Sequence, residues 1–257
     1  MPITYDNYLK LEELLALQAP QSDAPEHDEL LFIVIHQVYE LWFKLVLHEL
    51  TLAQRALEAG DTPIALETFK RILTILKTLV GQVDILETMT PVSFFSFRDR
   101  LDTASGFQSV QFREVEFVLG ARNRALAAHY PPAQERLEAR LAQPSLYDSF
   151  LRYLVERGYP VPREALERDP VLPPQENPEV QKLLIDIYHS DPTTREICER
   201  MVDLDEGIQE WRYRHVKMVE RTIGTRRGTG GSAGAEYLRS TLFRSLFPDL
   251  WAIRPHL

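Results

Sequence analysis

One histidine sits where the pattern of its helix asks for an apolar residue. His215 follows Leu204, Ile208 and Trp211 and precedes Met218, Val219 and Thr222, at the spacings of three and four that make one helical face. An imidazole there costs desolvation unless a partner offsets it, and a metal is one such partner. The same helix runs into Gly228-Thr229-Gly230-Gly231-Ser232-Ala233-Gly234, a loop able to wrap something small. A second histidine, His36, lies one turn after Phe32 on an apolar helix, so its neutral form is favoured and can accept a hydrogen bond from an N–H donor. Taken alone, each of these fits a core histidine bonded to a nearby polar group, which for His36 would be Glu40. His48 is about 120° around the helix from His36 and reads as structural or solvent-facing.

Other chemistries lack their residues. No two of the seven histidines are four apart, which excludes the zinc-protease spacing, and no Glu stands three before a histidine, as di-iron bundles need. Asp186 and His189 make one weak match. The single cysteine, Cys198, forms no internal disulfide and has no base nearby. The glycine loop follows a helix and has no lysine, unlike a phosphate-binding loop. A haem asks the protein for one axial imidazole, so the missing multi-ligand spacings count mildly toward it. Arg98, one turn after Phe94 and next to Phe97, can set a guanidinium fork at the edge of an apolar pocket for a carboxylate, or pair with Asp99 or Asp102 at the surface. Thr229, flanked by glycines, offers a hydroxyl and a backbone N–H to a ligand, or belongs to a plain surface loop.

The elements that would position these groups are helical nearly throughout. Tyr5 to Gln18 reads as a short helix, and Glu26 to Ala59 as a long one whose first turns, Leu30 to Ile35, are apolar all round and are expected in the deep core. Gly60 closes it, and Asp61 and Pro63 start a third helix that runs to about Met89. Thr90-Pro91 restarts a helix with Phe94, Phe95 and Phe97, and Ser105-Gly106 breaks the chain before Phe107 to Leu119. Helices are expected at 133–142, 145–158, 179–190, 193–224 and 235–247, with a proline-rich wrap over 160–178. No convincing strand alternation, repeat or low-complexity tail appears. The expectation is one all-α domain over 1–257, a helical bundle with two long antiparallel helices and short peripheral ones.

The 257 residues are 44% apolar, enough for a sizeable core, and the net charge of −9 argues against nucleic acid or an anionic membrane as the main partner. The start of the chain lacks the basic flank and apolar core of a signal peptide, and the apolar run Leu30 to Ile35 is too short to span a bilayer. A cytoplasmic protein without a membrane partner is expected.

Several blocks together resemble tryptophan 2,3-dioxygenases. They are His27-Asp28-Glu29-Leu30-Leu31-Phe32-Ile33-Val34-Ile35-His36-Gln37, Glu40-Leu41-Trp42-Phe43-Lys44, Phe97-Arg98-Asp99, Ala104-Ser105-Gly106-Phe107-Gln108-Ser109, Trp211-Arg212-Tyr213-Arg214-His215 and Gly228-Thr229-Gly230-Gly231-Ser232. They come in the family's order and cover nearly the whole chain. The resemblance implies a cytosolic, homotetrameric enzyme with one haem b per subunit, inserting both atoms of O₂ across the C2–C3 bond of L-tryptophan to give N-formyl-L-kynurenine. It implies His215 as axial ligand of the haem iron, His36 as the distal histidine that accepts the indole N–H, and Arg98 as the holder of the substrate carboxylate. It further implies Thr229 at the amino-acid end of the substrate, Phe32, Ile33, Val34, Ile35 and Phe94 around the indole, and Ser105 and Gly106 beside the haem. Tyr5, Tyr8 and Leu9, within residues 1–19, would complete a neighbouring subunit's site. Two positions depart from some relatives: Phe94 where a tyrosine occurs, and Ala233 where a second serine is common.

On this reading the protein orients the indole and keeps water out, the loop gates access, and loss of His36 slows the reaction without abolishing it. The alternatives are a haem-dependent aromatic monooxygenase, which transfers one oxygen atom, a haem sensor or carrier, and a helical scaffold without cofactor.

Overall fold

The computed structural model describes residues 2–24, 26–229 and 234–257. Its first elements are α1 (Tyr5–Leu9), α2 (Leu11–Leu15), α3 (His27–Glu58), α4 (Thr62–Leu86), α5 (Pro91–Phe97) and α6 (Val110–Leu119). Then come α7 (Arg124–Ala127), α8 (Gln134–Leu141), α9 (Leu146–Glu156), α10 (Arg163–Leu166), α11 (Pro178–Ser190), α12 (Pro192–Ile223), α13 (Ala235–Arg239) and α14 (Pro248–Ala252). Short 3₁₀ turns fall at Arg98–Leu101, Gly106–Gln108, Pro131–Ala133 and Arg254–His256, and no strand occurs among the described residues. The protein is all-α.

Three long helices make the frame. Gly60, at φ +67°, ends α3 in the left-handed conformation that a side chain disfavours, and Asp61 at once caps α4 by accepting from the Ile64 N–H at 3.2 Å. So tight a connection folds α4 back against α3. The Tyr39 hydroxyl donates to the Leu79 carbonyl at 2.8 Å and Arg71 pairs with Glu49 at 2.7 Å, the cross-links of an antiparallel pair. The N-terminus of α12 is held by Asp191, which accepts from the N–H groups of Thr193 and Thr194 at 3.0 and 3.1 Å, with Pro192 in the first turn. These bonds, with others from Thr194, Tyr159 and Arg157, outweigh the burial that would raise it and hold the Asp191 carboxyl well below the usual carboxylate range.

α12 runs parallel to α4. Gly207 faces Leu76, where a Cβ would stand 3.2 Å from the leucine Cδ1, and two turns on Arg214 pairs with Asp84 at 2.6 Å and Glu87 at 3.2 Å. α3 and α12 are therefore antiparallel, as their sequence suggested, with α4 as a third long helix packed against both. Phe69, Ile72, Leu79, Phe150, Met201 and Leu204 lie in the core between these helices and α9. α5 adds Phe94 and Phe97, whose rings meet edge to face at 5.6 Å.

Four expectations need correction. The N-terminal helix is two, because Lys10 takes a left-handed φ of +54° between α1 and α2, and neither buries a residue. The first turns of α3 are not deep core: Leu30 and Val34 are exposed, and only Ile35 of that run is buried. The Tyr39–Leu79 register brings residues near Phe32 level with the end of α4, so the turns before it overhang their partner. The last helix stops at Arg239, because the N–H groups of Leu246 and Phe247 and the Trp251 indole donate to the buried carboxylate of Asp205 instead of to helical carbonyls. Finally, among the described residues α3 is the one helix long and apolar enough to cross a membrane, which the short run at 30–35 did not suggest, yet it packs along α4, α6 and α9.

Phe97 is fully buried beneath Phe32 and Phe94. Phe97→Ala is expected to lose about 3–5 kcal/mol of stability, read as a lower urea midpoint at unchanged slope.

Candidate active site

α3, α5, α6 and α12 surround a mostly apolar cavity of about 250 Å³, lined also by residues of 104–109 and by residues on either side of the glycine loop. Helical geometry decides what reaches it. From α3, Phe32, His36, Tyr39, Glu40 and Phe43 line the wall at spacings of three and four, and from α12 Trp211, His215, Met218, Val219 and Thr222 do the same. The two histidines singled out in the sequence thus share one cavity.

Their environments differ. The Nδ1 of His36 lies 2.7 Å from the Phe32 carbonyl, which can only accept, so the proton sits on Nδ1 and Nε2 remains a bare acceptor. Burial lowers the His36 pKa below its ordinary value, against the opposing pull of that carbonyl and of the Glu40 charge. Glu40 does not bond His36. It accepts from the Gln111 amide at 2.8 Å, and the same amide reaches the Glu40 carbonyl at 2.9 Å. His215 makes no hydrogen bond to any described residue. Its ring stacks on Trp211 at 5.1 Å, and burial, then the nearby His36, bring its pKa down to about 4. A neutral imidazole on a cavity wall, with neither nitrogen bonded to a described residue, has the chemistry to ligate a metal or meet a donor. Among the described residues no group of three or more potential metal ligands exists, so any metal here arrives inside a cofactor that asks for one.

The polar edge of the cavity is cationic. Glu116 is buried between Arg113, one turn earlier in α6, and Arg212 of α12, which meets it at 2.8 Å. Two arginines against one carboxylate leave a net positive charge under cover. The Nε groups of Arg113 and Arg212 are buried without an acceptor among the described residues, and so is that of Arg98. All three arginines line the cavity. Unmet buried N–H donors beside a free imidazole fit a flat apolar group with anionic substituents, which describes a haem with its propionates.

Arg98 pairs with neither Asp99 nor Asp102. Its Nη2 donates to the Arg227 carbonyl at 2.8 Å. The Thr229 hydroxyl donates to the Ala104 carbonyl, so the start of the glycine loop is tied to the cavity rim. Residues 230–233, the centre of the expected lid, lie outside the described residues.

Of the residues singled out in the sequence, the cavity brings together Phe32, His36, Phe94, Arg98, Ser105, Gly106, His215 and Thr229. It does not bring in Ile33, Val34 and Ile35. At about 100° per residue they turn away from the face shared by Phe32 and His36, Val34 to solvent and Ile35 into the core. Tyr5, Tyr8 and Leu9 stand exposed on α1 and lie outside this chain's cavity. His48 is exposed. Arg113, Glu116, Arg212 and Glu40 were missed. No local pattern marks the first three, and Glu40 stood in the sequence only as a partner for His36.

An all-α frame with one imidazole unbonded to any described residue, a second imidazole poised as acceptor and a cationic rim fits a helical protein that holds a planar anionic cofactor. Comparison with known proteins narrows that class. The family model described as tryptophan 2,3-dioxygenase matches residues 1–138 and 140–257. The tryptophan 2,3-dioxygenase of Herpetosiphon aurantiacus is 58% identical over 257 residues, covering 99% of this chain and 98% of the relative. That of Anaeromyxobacter dehalogenans is 58% identical over 98% of this chain and 95% of its own length, and that of Kineococcus radiotolerans 47% identical over 99% and 91%. The chain belongs to the tryptophan 2,3-dioxygenase family. That membership sets aside the monooxygenase, carrier and scaffold alternatives.

The ring environment of His36 makes a measurable demand. Its neutral form is favoured in the fold, so an NMR titration is expected to place its midpoint below 6.5; a midpoint above that value would mean that Nε2 is protonated near neutrality and cannot accept.

Proposed function

We propose that this cavity is where the chain carries out its family's reaction, with His215 as axial ligand of a haem b and His36 as acceptor for the substrate N–H. The reaction follows from family membership: a haem-dependent dioxygenase converts L-tryptophan and O₂ to N-formyl-L-kynurenine, the first step of the kynurenine pathway. The observation that carries the site assignment is the pair of imidazoles on one cavity wall to wall, one with its Nδ1 satisfied and Nε2 bare, the other without any hydrogen bond.

When bound, the haem supplies the oxygen chemistry. The chain's own groups do the rest. Arg113 and Arg212 offer their open Nε–H donors to the anionic edge of the haem, and Ser105 and Gly106 line the wall beside it. The bare Nε2 of His36 accepts the indole N–H and so fixes the ring's rotation. Phe32 and Phe94, packed against each other at 5.9 Å, give the indole a continuous apolar wall and exclude water. Arg98 presents an unmet Nε–H, and a substrate carboxylate takes that donor together with Nη2 by replacing the Arg227 carbonyl. Thr229 holds the amino-acid end.

The chain acts as one all-α domain in a homotetramer. α1 and α2 bury nothing, and Ile3, Tyr5, Tyr8 and Leu15 are each more than 70% exposed. So much uncovered apolar surface on two consecutive short helices suits Tyr5, Tyr8 and Leu9 to the mouth of a neighbouring subunit's cavity. A cytoplasmic setting, with neither membrane nor nucleic acid as partner, completes the reading.

His215→Ala is expected to purify with native helicity but no Soret band, and added imidazole to restore the band. Retention of the normal Soret band would overturn the ligand assignment. Removal of residues 2–15 is expected to yield species smaller than a tetramer by light scattering and a higher KM for L-tryptophan; an intact tetramer with unchanged KM would sink the neighbouring-subunit role.

A further inference from the structure

Arg98 does not reach the cavity rim unsupported. Three residues earlier, Phe95 turns its ring toward two guanidinium groups. The Cζ of Arg226 stands 4.2 Å from the ring centroid and that of Arg98 5.7 Å from it, both within cation–π reach. Phe95 is itself fixed, because its ring packs at 5.8 Å edge to face on Phe94, which packs in turn on the fully buried Phe97. The platform is thus an outward step of the core.

Arg226 also begins the segment that carries Thr229. The next residue, Arg227, gives its carbonyl to Arg98, and Gly234, on the far side of the loop, passes so close that a Cβ on it would stand 2.8 Å from the Arg226 carbonyl. The chain entering the loop and the chain leaving it therefore meet at Arg226, whose side chain lies over Phe95. Neither Phe95 nor Arg226 lines the cavity.

We propose that Phe95 and Arg226 are positioning residues for carboxylate recognition: the Phe95 face holds Arg98 in the orientation that offers Nε and Nη2 together, and Arg226 docks the loop start on the same ring. This rests on the reading of Arg98 as the carboxylate holder. A guanidinium on a free side chain samples many rotamers, and holding it against a ring removes that freedom before the ligand arrives. The gain should appear in recognition of the carboxylate and nowhere else. A residue that only supported the fold would affect every ligand of the cavity.

The test compares two ligands of the haem-loaded enzyme: L-tryptophan, through KM and kcat, and tryptamine, which keeps indole and amine but lacks the carboxylate, through its competitive inhibition constant. Phe95→Leu and Arg226→Gln are expected to raise KM for L-tryptophan about fivefold to tenfold, with a smaller fall in kcat and an unchanged tryptamine constant. Phe95→Tyr, which keeps the aromatic face, is expected to keep KM near that of the unaltered enzyme. Arg98→Gln serves as the reference and should show the same selectivity loss more strongly. If Arg98→Gln leaves KM unchanged, the carboxylate reading falls and this proposal with it. If Arg98→Gln raises KM while Phe95→Leu does not, or if Phe95→Leu weakens tryptamine as much as L-tryptophan, the proposal alone is overturned.

Discussion

α4 lies against both α3 and α12, and the cavity exists because each flanking helix is held to it at a fixed height. Gly207 lets α12 approach Leu76 more closely than a larger residue would allow, and Arg214 pins the next turns to Asp84 and Glu87. On the other side, the Tyr39 hydroxyl and the Arg71–Glu49 pair fix α3. Tyr39 and Arg214 lie within one turn of His36 and His215, so the same register that packs the core sets which side chains reach the opening. A slip of one residue in either helix would turn its histidine by about 100° and remove it from the wall. The energetic consequence is that two imidazoles are buried neutral, one with its bare nitrogen and the other with both nitrogens turned to an apolar space. That arrangement stands only because the surrounding core is far larger than the cost of the unmet groups.

The cationic rim follows a similar logic. Glu116 alone between two helices would be an expensive buried charge; paired with Arg113 and Arg212 it is compensated, and the excess is one positive charge. Arg113 lies against Phe107 and Phe112, at 5.6 and 5.5 Å, and Arg212 gives a further N–H to the Thr241 carbonyl at 3.2 Å. Replacing any one of the three would leave the others unbalanced under cover. The cluster therefore ties α6, α12 and the segment after α13 together and at the same time fits the site for an anion.

How much of this could be read beforehand depended on periodicity. His215 stood out because Leu204, Ile208, Trp211 and Met218 give its helix a sharp phase, and the phase predicts an inward face. Leu30 to Ile35 is apolar all round and carries no phase, so its residues read as deep core, and the family resemblance that implies Ile33, Val34 and Ile35 around the indole is not matched by the cavity, which of residues 32–36 only Phe32 and His36 reach. Arg113, Glu116 and Arg212 escaped because charged residues on a helix ordinarily mark its solvent face. Only the crossing of α6 and α12, a long-range contact, turns them inward. The break at Lys10 and the end of α13 are set by a left-handed backbone and by the reach of Asp205, neither of which has a local signature. The family resemblance supplied roles that spacing alone left open, above all for Arg98 and Thr229.

Both of those residues already bond a backbone carbonyl. Arg98 holds the Arg227 carbonyl and Thr229 the Ala104 carbonyl, each a neutral acceptor. A ligand must therefore exchange bonds rather than simply form them, and the net gain is the difference between the old partner and the new. A neutral group offered to Arg98 would replace one carbonyl by another and gain little. A carboxylate gains twice, because it adds the attraction of two opposite charges to a bond the guanidinium already makes and because it meets the Nε–H that no described residue accepts. These bonds thus work as a filter: a ligand with no anion leaves the Arg227 carbonyl in place, and only one that brings an anion at the right distance from an indole N–H recovers more than it displaces.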